Sequence, residues 1–135
     1  MIVIDTSVAV PAALPWHVAH RAARAALRAD RTRAIAQVVV ETYSVLTRLP
    51  PPERVSAAVA STLVRETFDF PPLVLSATTY FDLLGLAASE GITGGAVYDA
   101  VVGATAVEAG ATLVTRDRRA VQTYRRVGVD YRFVD

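Results

Sequence analysis

Residues Ala96 to Gly128 read AVYDAVVGATAVEAGATLVTRDRRAVQTYRRVG, and this stretch decides the fold. Ala96 to Glu108 is a strongly apolar run of helical length, and Gly110 stands just beyond it, where a helix end takes a left-handed residue. Ala111 to Thr115 is then a short apolar strand, and Arg118 to Val127 a second helix stopped by Gly128. Strands alternating with helices require crossover connections and therefore a mostly parallel sheet covered on both faces. Moving outward, Tyr131 to Val134 reads as a final strand and Gly91 to Gly95 as a turn. Ser76 caps a helix running to about Glu90, and Leu73 to Leu75 makes a brief strand after Pro71-Pro72. Glu53 to Phe68 is expected to be a helix with Val55, Val59, Ala60 and Leu63 on one face. Pro50-Pro51-Pro52 is a loop, not a domain boundary. Arg33 to Val38 reads as the second strand and Val39 to Leu49 as a helix with Glu41 near its first turn. Met1 to Ile4 is a strand buried on both faces. Asp5-Thr6-Ser7 supplies a helix N-cap, and the Ala-rich helical region behind it, disturbed by Pro11 and Pro15, resumes near His17. The expected architecture is α/β, a three-layer α/β/α sandwich with a mostly parallel central sheet, forming one domain over residues 1–135.

Composition narrows the chemistry. The chain has 135 residues, 53% of them apolar, a net charge of +1 and no cysteine. That apolar fraction is too high for a disordered chain, and the missing cysteine removes disulfides, thiol nucleophiles and thiolate-bound zinc while permitting a reducing, cytoplasmic setting. Ala and Val supply 45 of the residues, which raises the question of a membrane. The longest stretch free of Arg, Asp and Glu runs only from Thr6 to His20 and contains two prolines and two histidines, whereas a spanning helix needs about 20 apolar residues. No basic residue precedes the first apolar run and Asp5 interrupts it, so no signal peptide is expected. All 14 basic residues are arginine. Without lysine, P-loop NTPases, haloacid-dehalogenase-type phosphatases and response-regulator receivers are disfavoured. Gly91-Ile-Thr-Gly94-Gly95 lacks the GxGxxG spacing, and no GxSxG elbow occurs. His17 and His20 lack the Glu of an HExxH helix and read as two solvated residues near a helix start.

The acids carry the functional signal. In open parallel sheets ligands bind beyond the carboxyl ends of the strands, where helix N-termini converge. Asp5 follows the first strand, Glu41 lies just after the second, and Asp117 is two residues past the strand ending at Thr115. Asp99, near the start of its helix, reaches the same edge if that helix packs with its N-terminus up. Each abuts apolar residues, and partly buried carboxylates are costly unless paired or neutralised. Arginine partners, raised pKa values or a divalent cation are the options; Mg²⁺ or Mn²⁺, hard oxygen-seeking ions, is the economical one. Taken singly, Asp5 and Asp117 also read as N-caps, Glu41 as a helix-dipole partner and Asp99 as an arginine partner. Asp82, in the second turn after Ser76, reads as solvated.

The strand ending in Asp5-Thr6-Ser7, the helix-borne Glu41, Tyr98-Asp99-Ala100 inside an Ala/Val-rich helix, and Thr112-Leu113-Val114-Thr115-Arg116-Asp117 together resemble the PIN-domain ribonucleases. The short single-domain format is similar to the VapC-type toxins of bacterial toxin–antitoxin pairs. The resemblance covers nearly the whole chain, is most specific from Tyr98 to Arg119, and shows no distinctive pattern from Pro50 to Pro72. It implies that Asp5, Glu41, Asp99 and Asp117 hold one or two Mg²⁺ or Mn²⁺ ions. It places Thr6 and Thr115 where the family carries small hydroxyl residues near metal or scissile phosphate. The implied reaction is hydrolysis of RNA by a metal-activated water, leaving a 5′-phosphate and a 3′-hydroxyl.

RNA must be drawn to a site lined with acids. Setting the four acids aside leaves 14 arginines against nine carboxylates. Arg116, Arg118 and Arg119 are candidate phosphate contacts beside Asp117, with Arg125, Arg126 and Arg132 close in sequence. Arg21, Arg24, Arg28 and Arg31 form a second, helical stripe; a solvated face is the alternative reading of both groups. The implied partners are an RNA substrate and a cognate antitoxin protein. The apolar surplus is assigned to a homodimer contact and an antitoxin groove along the helices at Val38 to Leu49 and Glu53 to Phe68. The competing readings are a catalytically idle partner-binding domain of the same fold and a solitary PIN ribonuclease without antitoxin.

Overall fold

The computed structural model describes residues 1–135. Four parallel strands form one sheet: β1 (Ile2–Ile4), β2 (Thr32–Arg33), β3 (Thr112–Thr115) and β4 (Tyr131–Phe133), in the order β2-β1-β3-β4. Successive side chains of a strand face opposite ways, yet Ile2, Val3 and Ile4 are all buried, as are Leu113 and Val114. Both faces are therefore covered, and the continuous apolar runs anticipated for such strands are what the sequence carries. The order reverses direction between β1 and β3, which makes the edge above their carboxyl ends the switch point of the sheet.

Seven helices clothe the sheet: α1 (Thr6–Ala13), α2 (His20–Arg28), α3 (Ala36–Thr47), α4 (Ala57–Thr67), α5 (Thr79–Glu90), α6 (Ala96–Glu108) and α7 (Val121–Val127). No helix is long and apolar enough to cross a membrane. Asp5 caps α1, and Gly110 and Gly128 adopt φ of +65° and +78° past α6 and α7, the left-handed stops their places in the sequence demand. Because α6 leads through Gly110 straight into β3, it runs back along the sheet, and its N-terminus lies at the edge where β3 ends.

Three expectations are corrected. Arg33 to Val38 is not a strand: β2 is two residues long and α3 begins at Ala36. The run Val38-Val39-Val40 fits strand or helix by composition, and the helix wins because Val38, Thr42 and Leu46, four apart, bury one face. Leu73 to Leu75 contributes a single bridge, Leu73 to Ile35, after two prolines that have no N–H to donate. The helix expected from Glu53 starts at Ala57, where the Ser56 hydroxyl accepts the Val59 N–H at 3.2 Å. Its buried face is Ala60 and Val64, while Val59 is 47% exposed; Val55, just before the cap, packs in the same cluster as Ala60 like a hydrophobic staple. Smaller shifts put the start of α5 at Thr79 and of α7 at Val121, each preceded by a turn.

One contact ties this packing to the site described below. A Cβ at Gly103 of α6 would sit 2.6 Å from Val127 Cγ2 and 3.4 Å from Tyr124 Cδ1 of α7. Gly103→Val forces the two helices apart, and a loss of about 2 kcal/mol is expected in urea unfolding. An unchanged midpoint would show that the α6–α7 contact is looser than this geometry.

Candidate active site

Asp5 sits at the switch point and is almost fully buried, at 5% exposure. Its position as N-cap of α1 turns one carboxylate oxygen onto the Ser7 N–H at 3.0 Å and the Ser7 hydroxyl. The other oxygen accepts from the Thr115 hydroxyl and, at 2.8 Å, from the Tyr124 hydroxyl. Burial nevertheless pushes the Asp5 carboxyl above the usual range, with these donors pulling it back. Tyr124 is itself fully buried, and its hydroxyl is pushed far up by burial and by the neighbouring Asp5 carboxylate, so it stays a donor.

Threonine hydroxyls bond two of the acid side chains, Thr6 to Glu41 and Thr115 to Asp5. Thr6 donates to Glu41 at 2.7 Å, and Gln37, one turn earlier on α3, donates to the other Glu41 oxygen at 2.9 Å. Thr115, donating to Asp5, also accepts the Asp117 N–H at 3.0 Å. Asp117 receives the Arg119 N–H at 2.9 Å, an Asx turn that starts the path into α7, and pairs loosely with the Arg119 guanidinium at 3.6 Å. Thr115 is fully buried and committed to two site residues, so it positions the acids and does not face outward. Thr6 likewise acts on Glu41.

Asp99, in the first turn of α6 and half-buried, completes the group. Its carboxyl is pushed up to about 6 by burial first and then by repulsion from Asp117, Glu41 and Asp5, with Arg119 opposing. The four acids thus occupy one electrostatic neighbourhood at the switch point. No three carboxylate or imidazole groups stand at the mutual spacing of ligands on a single ion. Glu41 and Asp117 are instead turned onto the donors just named. Asp82 is exposed and apart from the group. His17 and His20 each bond backbone, His17 Nδ1 accepting from the Ala19 N–H and His20 Nδ1 meeting the Pro11 carbonyl, and they do not form a pair of ligands.

The arginines divide. Arg118 lies 4.4 Å from the Phe133 ring centroid and Arg125 donates to the Tyr131 hydroxyl at 2.9 Å, both bound to the β4 edge. Arg119 faces Asp117. Arg116 anchors its N–H on the Ser7 hydroxyl at 2.7 Å and leaves its side chain without a partner.

Sequence reasoning did not single out Ser7 as a ligand of Asp5, Gln37 or Tyr124. Gln37 was readable, four residues ahead of Glu41 on one helix face. Tyr124 was not, because its partner lies 119 residues away and only the packed fold joins them.

Comparison with known proteins agrees with this geometry. The PIN domain family model matches residues 2–126. Ribonuclease VapC40 of Mycobacterium tuberculosis (strain ATCC 25618 / H37Rv) is 46% identical over 134 residues, 99% of this chain and 99% of that protein. Ribonuclease VapC27 of the same strain is 47% identical over 127 residues, 93% of this chain and 91% of that protein. With the parallel sheet, the acids gathered at its switch point and matches spanning nearly every residue, the chain belongs to the PIN domain family, among its VapC-type members.

Proposed function

We propose that this chain is a Mg²⁺-dependent endoribonuclease, with Mn²⁺ able to substitute, and the toxin of a toxin–antitoxin pair acting in the cytoplasm. The observation that carries the reading is the gathering of Asp5, Glu41, Asp99 and Asp117 at the switch point of the sheet. Four carboxylates from four separate elements share one edge, and the Asp99 carboxyl there is pushed up to about 6, by burial first and then by repulsion from Asp117, Glu41 and Asp5. A domain that only binds a partner gains nothing from that repulsion. The donor set fits a hard divalent cation in kind, since it is all carboxylate oxygen with no lysine present to neutralise it. Asp5, Asp99, Asp117 and Glu41 are the residues that would hold it. When bound, such an ion supplies an acidified water and charge neutralisation at the phosphate.

The chain's own residues supply placement. Ser7, Thr115 and Tyr124 lock the Asp5 carboxylate in one orientation. Thr6 and Gln37 fix the two oxygens of Glu41, and Arg119 offsets part of the negative charge of Asp117. Arg118 and Arg119, both exposed, present guanidinium groups to phosphates approaching that edge.

Two apolar surfaces support the partner assignments. Between α3 and α4 lies a groove of about 670 Å³ lined by Val39, Val40, Tyr43, Val64, Phe68 and Phe70, suited to an antitoxin segment. On α5, Phe81 is 82% and Leu84 53% exposed, a surface suited to a second copy of the chain.

The test is cleavage of structured RNA by purified protein with Mg²⁺ or Mn²⁺, with no cleavage in EDTA and products bearing 5′-phosphates. Cleavage undiminished in EDTA, or no Mn²⁺ binding by calorimetry at millimolar concentration, overturns the metal assignment. Co-purification of a small protein encoded by a neighbouring reading frame separates a toxin from a solitary ribonuclease.

A further inference from the structure

Between the start of α3, the segment after Pro72, the start of α5 and the middle of α6 lies a cavity of about 200 Å³. Eight of its ten lining residues are apolar, among them Val40, Leu73, Tyr80 and Val101. Backbone bonds hold its walls: the Leu73 N–H donates to the Ala34 carbonyl and the Ala36 N–H to the Leu73 carbonyl, each at 2.8 Å. The cavity is therefore formed before anything enters it.

The polar residues of the lining are Gln37 and Thr105. Thr105 is already committed, its hydroxyl donating to the Val101 carbonyl at 2.6 Å within α6. Gln37 keeps free capacity. One amide N–H reaches the Glu41 carboxylate at 2.9 Å, while the carbonyl oxygen and the second N–H make no hydrogen bond within the chain. A single side chain thus joins the cavity to the acids, and Val101 stands two residues after Asp99 on α6.

What the lining lacks selects the occupant. No charged residue borders the cavity, so it offers nothing to a phosphate. Its volume is below the roughly 300–1,000 Å³ of pockets that enclose drug-sized molecules. It is also less than a third of the 670 Å³ groove between α3 and α4, and suits one ring rather than a stretch of peptide. An uncharged ring with flat faces and hydrogen-bonding edges is what RNA presents in an unpaired base, which proteins read by stacking and by bonds to its edge.

We propose that this cavity takes one unpaired base of the RNA beside the acidic edge, with Tyr80 against its face and the Gln37 amide at its edge. A base seated on Gln37 also fixes the amide that orients Glu41, which couples the choice of RNA to the placement of an acid. The identity of the ligand rests on the ribonuclease reading above, yet base binding is measurable without cleavage.

The full chain in EDTA is titrated with labelled single-stranded RNA pentamers, one for each of the four bases, and with an abasic ribose-phosphate pentamer as the backbone-only probe. The best base-bearing pentamer is expected to bind at least about tenfold more tightly than the abasic one. Tyr80→Ala, at a residue 42% exposed, removes most of that gap and leaves the salt dependence unchanged, because no phosphate contact is lost. Val101→Met closes the gap by the opposite route, extending a side chain into the cavity. Gln37→Met, which cannot bond a base edge, levels the affinities of the four base-bearing pentamers. Far-UV circular dichroism is unchanged in all three. Equal affinity for abasic and base-bearing pentamers, or a full gap in both Tyr80→Ala and Val101→Met, overturns the base pocket. So does a Tyr80→Ala chain that turns from dimer to monomer, or releases a co-purified protein, with RNA affinity unchanged, since a second copy or a protein segment then fills the cavity. Base-dependent binding without cleavage in any divalent cation sinks the hydrolase reading and leaves the pocket standing. Metal-dependent cleavage with kcat/KM unchanged in Tyr80→Ala and Val101→Met removes the pocket alone.

Discussion

Asp99→Asn is expected to abolish RNA cleavage and, in the absence of divalent cations, to melt at a higher temperature than the native chain. The two effects have one cause. Asp99 has an ordinary value of 3.8 and is raised to about 6 in the folded protein. A carboxyl raised on folding binds its proton more tightly in the native state, so its ionisation opposes folding. The penalty is absent below pH 3.8, grows as pH rises toward 6, and is complete above it. A two-unit shift corresponds to about 3 kcal/mol, and because Asp99 is only half-buried, solvent screening reduces this to about 1–2 kcal/mol. Asn keeps the shape and removes the charge. At pH 7.5 in EDTA the variant should therefore gain about 3–6 °C in melting temperature, and the gain should vanish at pH 4. Millimolar Mn²⁺ should raise the melting temperature of the native chain by binding its folded state, and leave the variant nearly unmoved. A variant that melts lower than the native chain at pH 7.5, or one that retains cleavage, would show that burial and the fellow acids do not destabilise the ionised Asp99. Screening by differential scanning fluorimetry needs no knowledge of the RNA.

That destabilised carboxylate also explains why the site was partly legible from residues alone. Asp5, Asp99 and Asp117 stand beside apolar runs whose type is unambiguous: Ile2-Val3-Ile4, the Ala/Val helix of α6, and Leu113-Val114. Once those runs are a parallel strand, a returning helix and a second strand, chain direction alone sets all three acids at one edge. Glu41 arrived there by a less secure route. Its run, Val38 to Val40, is apolar and β-branched, and no local rule separates a buried strand from the start of a buried helix in so few residues. The outcome is decided by α1 and α4, which offer α3 a surface for Val38, Thr42 and Leu46. Glu41 consequently projects from the second turn of α3, where Gln37 can reach it. The hydroxyls were harder still. Thr6, Ser7 and Thr115 satisfy caps or strand ends in any sequence reading, and their commitment to Asp5 and Glu41 depends on β1 and β3 being neighbours in register, Ile4 beside Val114.

Tyr124→Phe is expected to lower stability by about 2 kcal/mol and to move the acid limb of the cleavage pH profile upward. The ring is not the issue: Phe keeps the contacts that pack α7 beside Gly103 of α6. What is lost is one of two donors to the Asp5 oxygen that faces away from Ser7, in a place where Asp5 has 5% exposure. Hydrogen bonds to a buried charge contribute about 1.5–3 kcal/mol, and an acceptor left short of a donor bears the desolvation cost itself. The same donor favours the ionised form of Asp5, so its removal lets burial push the carboxyl higher. Cleavage that needs ionised Asp5 then fails at a higher pH than in the native chain, while the plateau at alkaline pH is largely recovered. This separates a positioning role from a general loss of structure, which would depress the rate equally at every pH. Tyr124 touches neither RNA nor water from outside, and its influence on the reaction runs wholly through the orientation and charge of Asp5. An unshifted pH profile together with a full loss of stability would confine Tyr124 to packing, and Thr115 and Ser7 would then be the donors that set the state of Asp5.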